Sequence, residues 1–157
     1  MIYESYIGKT CSSQLIDCYE AYGLPVVSMH EVPKEQVVHY GIMHGVWESP
    51  KEEQMRLDCI YEKPTVDYAE ENLGIRCKNG SKYFAVFGQY ILTEDVYKVL
   101  EKNIRENNES RGEIQLTDAL EEVRATTGMM GCCIKGKSYD VGLPQMYIET
   151  VREFGRI

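Results

Sequence analysis

Apolar positions in this chain switch repeatedly between helical and strand spacing, and the switches divide it into alternating elements. Leu15, Ile16, Tyr19 and Tyr22 recur at helical spacing after Ser12 or Ser13, either of which can cap the helix, and Gly23 offers a left-handed stop. Pro25 to Val32 is rich in β-branched residues and predicts a strand that starts at a proline. Pro33 suits the first position of a short helix through Lys34 to Val38, because its missing N–H costs nothing there. Gly41 to Trp47 and Arg56 to Glu62 predict two strands joined by the polar turn SPKEEQ. Trp47, near a strand end, reads as a packing residue. Thr65 caps a short acidic helix to about Asn72. Ile75 to Lys78 and Tyr83 to Leu92 then flank Asn79-Gly80, a strong hairpin signal. Thr93 caps a further helix whose inward stripe is Val96, Val99, Leu100 and Ile104.

The stretch Arg111 to Leu120, RGEIQLTDAL, joins a glycine loop to an extended run and a helix. Glu113 to Leu116 alternate polar and apolar, as in a short half-buried strand or an extended entry segment with Ile114 and Leu116 turned inward. Thr117 reads as the helix cap and Asp118 as a first-turn acid facing the positive end of the helix dipole. Leu120 and Val123 carry the helix inward until Thr126, Thr127 and Gly128 break it. Met129 to Ile134 predicts an apolar strand, and Gly136-Lys137 turns it toward Ser138 and Tyr139. Asp140 stands before Val141-Gly142 at a strand end, and Pro144 opens a last helix with Tyr147, Val151 and Phe154 inward. Helices alternating with strands predict an α/β fold, a mixed β-sheet flanked by helices.

Composition narrows this picture. A chain of 157 residues with 43% hydrophobic content supports one domain, residues 1–157, with a real core. A net charge of −8 argues against nucleic acid as a partner, since non-specific binding there relies on basic surface. No apolar run approaches the roughly 20 residues that cross a bilayer, and the N-terminus lacks a signal pattern, so no membrane partner and a cytoplasmic location are expected. The six cysteines form no CxxC pair, and reduced thiols used as small apolar side chains are the expected state. His30, His39 and His44 do not combine with them at zinc-ligand spacing.

Glu62, Lys63 and Pro64 fall where a strand ends. Adjacent strand residues point to opposite faces, but Pro64 holds Lys63 out of helical geometry, so the two side chains can splay toward one cleft. By themselves they read as a surface ion pair. Asp140, by itself, reads either as a turn-forming aspartate or as a ligand at the carboxyl end of a strand.

GEIQLTDAL resembles the signature of the bacterial glucose-1-phosphate uridylyltransferases, in the sugar-phosphate nucleotidyltransferase superfamily. QLIDCYEAYGLPVVSMHEVPKEQVVHYGI (Gln14 to Ile42), YEKP (Tyr61 to Pro64), FGQYILT (Phe87 to Thr93) and GKSYDVGLPQMYIETV (Gly136 to Val151) follow the same family in the same order. The resemblance implies the C-terminal portion of a Rossmann-like nucleotidyltransferase fold, with an inserted hairpin at about 73–92. The family's Gly-rich triphosphate loop and early metal-binding aspartate have no match here. The implied reaction is nucleotidyl transfer from UTP to glucose 1-phosphate, giving UDP-glucose and pyrophosphate. It implies that Glu62 binds sugar hydroxyls, that Lys63 contacts the sugar phosphate as the catalytic cation, and that Asp140 binds a catalytic Mg2+. Each role suits its chemistry: a carboxylate accepts from hydroxyls, an ammonium is a compact charge for phosphate, and a hard divalent ion takes carboxylate oxygens. Without the opening portion the chain is expected to be inactive alone, and unpaired sheet edges would favour a homo-oligomer. A non-catalytic sugar-phosphate-binding or subunit-interaction module is the alternative.

Overall fold

A computed structural model describes residues 2–48, 50–77, 80–110, 112–139, 141–142 and 144–154. In chain order these form β1 (Ile2–Ser5), α1 (Cys11–Tyr22), β2 (Val26–Val32), a 3-10 helix (Lys34–His39), β3 (Gly41–Trp47) and β4 (Gln54–Glu62). Next come α2 (Val66–Asn72), β5 (Ile75–Cys77), β6 (Gly80–Ile91), α3 (Glu94–Glu106), α4 (Leu116–Thr126), β7 (Met130–Cys133), β8 (Gly136–Tyr139) and α5 (Pro144–Phe154). The α/β class with a mixed sheet flanked by helices is what the periodicities predict.

Six strands form the main sheet, in the order β2-β7-β4-β3-β6-β5, and β1 pairs only with β8 in a separate two-stranded ladder. Strand β2 runs parallel to β7, and the other pairings are antiparallel. Because β2 also pairs with β6, the ladder closes through β2, β7, β4, β3 and β6. Among the described residues, β5 pairs on one side only and the β1–β8 ladder stays outside the ring. The Asn79-Gly80 hairpin joins β5 to β6, with Cys77 opposite Gly80; Lys78 and Asn79 lie outside the described residues. Its outgoing strand continues into the ring, where Tyr83 to Ile91 pair with β2.

Alternation along these strands feeds three apolar clusters. Val27, Met29, Met43, Met55, Leu57 and Phe84 meet Val96 of α3 and Leu120 and Val123 of α4 in the central one. Val26, Phe87, Met130 and Cys132 pack with Cys11, Leu15 and Cys18 of α1, and Ile42, Tyr83 and Ala85 pack with Val37, Ala69 and Leu73. Trp47 packs edge-on against Phe84, with ring centroids 5.2 Å apart, as a packing residue. All six cysteines are free thiols.

Several helix faces differ from the sequence expectation. Helix α1 is capped by Thr10, whose hydroxyl accepts from the Ser13 N–H, and not by Ser12 or Ser13. Its buried face is Cys11, Gln14, Leu15 and Cys18, while Ile16 and Tyr19 are exposed. Small thiols suit the close approach of α1 to the sheet better than tyrosines do, which rotates the helix away from the stripe of large residues. On α3, Val96 is buried and Val99 and Leu100 pack partly, but Ile104 is exposed. Asn103 takes the inward position and its carbonyl accepts the N–H groups of Asn107 and Asn108, which close the helix. On α5, Tyr147 and Val151 are more than half exposed and Thr150 is buried; the Phe154 side chain is outside the description. That helix packs mainly on the narrow β8, which covers only one side of it.

Candidate functional site

A shift of strand parity builds the site. In β4, Met55 and Leu57 point into the central cluster, and a regular strand would send Cys59 and Tyr61 after them. Instead the register with β3 slips between His44 and Gly45, so that Leu57 faces Gly45, Cys59 faces His44, and Asp58 is the extra residue of a β-bulge. Asp58 hydrogen-bonds the His44 Nδ1 at 2.7 Å on the outside of the bulge. After it the inward positions become Ile60 and then Glu62, so the bulge turns Glu62 toward the side where α4 packs. The sequence carries this signal as apolar residues at 55, 57 and 60, which no single period of two can connect.

Helix α4 meets the bulged end of β4 through three side chains on one face. Glu121 accepts the Ile60 N–H at 2.9 Å and is gripped by Arg124 through two bonds of 2.8 and 2.7 Å. One turn earlier, the Thr117 hydroxyl donates to Glu62 Oε2 at 2.8 Å. Thr117 is thus not the helix cap. The cap position falls at Gln115, which makes no side-chain capping bond, and the Thr117 hydroxyl is spent on a carboxylate, a stronger acceptor than it would be itself for an N–H. The stretch before it is an extended entry segment and not a strand: Gln115 has a φ of −90° and a ψ of 130°, and a turn at Gly112 precedes it. Ser110 and Glu113 bond to each other across Gly112, whose φ of 83° needs glycine, and Arg111 lies outside the described residues. Ile114 and Leu116 are half-buried, and Leu116 packs on the central cluster.

Glu62 and Lys63 come together at the end of β4. Gly41 lies opposite Glu62, and a Cβ there would stand 3.0 Å from Oε2 and 3.3 Å from Val86, so glycine makes room for the carboxylate. Tyr90 lies on the same side; burial, and then the Glu62 charge, push its phenol above the ordinary range. Lys63 leaves the strand with a φ of 47°, an uncommon left-handed conformation for a lysine, fixed by its N–H bond to Tyr40 O at 3.0 Å and by Pro64 behind it. That kink brings the Lys63 Nζ to 3.8 Å from Glu62 Oε1, with the lysine side chain 52% exposed and the glutamate 21%. Beside them opens a cleft of about 450 Å³ lined by Ile60, Tyr61, Glu62, Ser110, Asp118 and Glu121. Asp118, in the first turn of α4, thus faces this cleft.

Asp140 lies outside the described residues. Among the described residues no three histidine, cysteine, aspartate or glutamate side chains gather as a metal site.

The cleft at the end of β4, acidic along its lining and with Lys63 close to Glu62, thus sits on a mixed α/β sheet flanked by helices. The nucleotidyl transferase family model matches residues 7–155, and the chain belongs to that family. It is 30% identical over 143 residues to the UTP–glucose-1-phosphate uridylyltransferase of Pseudomonas aeruginosa, a match covering 91% of this chain and 46% of the relative. It is 31% identical over 150 residues to UTP–glucose-1-phosphate uridylyltransferase 2 of Streptococcus pyogenes, covering 93% of this chain and 44% of the relative. Apo UDP-glucose pyrophosphorylase superposes with a TM-score of 0.80 at 27% identity, over 98% of this chain and 50% of that one. UDP-glucose pyrophosphorylase complexed with UDP-glucose does so with a TM-score of 0.79 at 28% identity, over 98% and 52%. The chain spans about half the length of the curated relatives it matches. No helix among the described residues is long and apolar enough to cross a membrane.

Proposed function

We propose that this chain forms the sugar-phosphate side of a uridylyltransferase site, where UTP and glucose 1-phosphate give UDP-glucose and pyrophosphate. The observation that carries the reading is the approach of Lys63 to Glu62 beside a cleft that Glu62 lines, produced by a bulge in β4 and a left-handed turn at Lys63. Relatives named for this reaction support it.

In the reaction a phosphate oxygen of glucose 1-phosphate forms a bond to the α-phosphorus of UTP, and the bond from that phosphorus to the departing pyrophosphate breaks. No protein nucleophile is needed; alignment and charge neutralisation supply the catalysis. Glu62 accepts hydrogen bonds from sugar hydroxyls and sets the orientation of the ring. Lys63 holds the attacking phosphate and offsets its charge, which makes it the catalytic cation of this half. Asp140 is the carboxylate offered to Mg2+, an ion that would neutralise phosphate charge between the two substrates. Base recognition and the remaining metal ligands come, in this reading, from a nucleotide-binding portion such as the half of the relatives that this chain does not match.

The chain alone is then a binding half rather than a working enzyme. A non-catalytic sugar-phosphate-binding module is the second reading, favoured by the coverage of only half of each relative. Six free thiols support a reducing, cytoplasmic setting. The apolar face of α5, with Tyr147, Ile148 and Val151 exposed, supports assembly into a homo-oligomer. Calorimetric titration of the chain with glucose 1-phosphate tests the main reading. Saturable binding that disappears in Lys63→Ala is expected, and equal affinity in the two proteins would refute it.

A further inference from the structure

We infer that Thr117 is a positioning residue for Glu62, fixing which oxygen of that carboxylate addresses a sugar; the inference rests on the sugar-phosphate reading of the cleft. The two oxygens of Glu62 have different surroundings. Oε2 accepts from the Thr117 hydroxyl at 2.8 Å and lies against the Cα of Gly41, where an added Cβ would come within 3.0 Å. Oε1 is the oxygen that approaches Lys63, at 3.8 Å. A carboxylate held by one oxygen keeps its plane and presents the other oxygen toward the cleft. Without that bond its last torsion, which has a broad and shallow preference, is less restricted.

The hold is itself rigid. Thr117 stands one turn before Glu121 on α4, and Glu121 is bonded both to the Ile60 backbone of β4 and to Arg124. Threonine has a restricted χ1, so its hydroxyl direction follows the helix. The position of Glu62 is therefore referred, through Thr117, to the same helix that buries Ala119, Leu120 and Val123 in the core. The pairing joins the TD of the QLTD stretch to the EK of YEKP, two segments 55 residues apart in sequence.

The test compares the full chain with Thr117→Val, which keeps the shape and removes the hydroxyl, and Thr117→Ser, which keeps the hydroxyl; Thr117→Ala serves where valine does not fold. Glucose 1-phosphate binding is measured by calorimetry. A single charge-assisted hydrogen bond predicts a loss of about tenfold or more in Thr117→Val, and Thr117→Ser is expected within about twofold of the parent. Parent-like binding by Thr117→Val, or equal losses in both variants, would overturn the positioning role. The same proteins are melted in a Glu62→Ala background. Where the parent chain binds no glucose 1-phosphate, the sugar-phosphate reading fails, and the melts decide the inference separately. A thermal loss from Thr117→Val that vanishes without Glu62 upholds the coupling, and a loss that persists unchanged overturns it.

Discussion

Two corners of the molecule carry the residues singled out for chemistry, and they are built differently. At the β4–α4 corner, Ile60 and Leu120 are buried in the central cluster, and backbone and side-chain bonds from Glu121 tie helix to strand. At the β8–α5 corner, the two-stranded ladder with β1 stands apart from the ring, and α5 leaves Tyr147, Ile148 and Val151 more than half exposed. Polar contacts dominate there: Lys137 bonds Glu153 at 2.5 Å, and Tyr139 donates toward Glu4 and Glu153 at 3.2 and 3.3 Å. Exposed ion pairs contribute little, roughly 0 to 1 kcal/mol each. The core therefore fixes the Glu62–Lys63 end of β4, whereas β8, which leads toward Asp140, is held by its ladder with β1 and by these polar contacts.

Breaking the tie at the first corner has the larger expected effect. Glu121→Ala leaves the Ile60 N–H without its acceptor and the Arg124 guanidinium, only 18% exposed, without its partner. A loss of about 2 kcal/mol follows from stranding such groups, read as a lowered urea midpoint, and Glu121→Gln is expected to lose less because it keeps an acceptor. An unchanged midpoint in Glu121→Ala would mean that α4 is not pinned to β4 in this way.

The second corner is expected to respond to pH. The bond to Glu153 raises the Lys137 ammonium above its ordinary value of 10.5, so its contribution is complete below that value and is lost as pH rises through the folded-state value. Methyl resonances of Ile148 and Val151 are expected to shift in that alkaline window before those of Leu120 and Val123, and simultaneous change would show that the two corners are not independent. The effect is small, because Lys137 and Glu153 are both exposed.

The comparison also shows what the sequence could say. Element types followed from periodicity at most positions, because burial of β2 and β7 writes itself as apolar runs and that of β4 as alternation, and Gly23 ends α1 in the left-handed conformation with a φ of 66° as its position suggested. Faces were less legible. The buried side of α1 is marked by cysteines and a glutamine, not by its largest residues, and that choice depends on how closely the sheet approaches. The closing of the ring through β2 and β6 depends on pairings from Val26 with Ile91 to Val32 with Tyr83, far apart in sequence, which no local pattern encodes. The approach of Lys63 to Glu62 was legible because a strand end followed by proline has few geometries. Thr117 was misread as a cap because its true acceptor, the Glu62 carboxylate, comes within reach only through the bulge at Asp58.

The most direct measurement of the central claim is a backbone amide NMR titration of the 157-residue chain with glucose 1-phosphate. A preformed sugar-phosphate cleft predicts saturable shifts concentrated at Glu62, Lys63, Thr117 and Asp118, with α5 unmoved. No shifts at millimolar ligand, or shifts centred on β8 and α5 instead, would contradict the account.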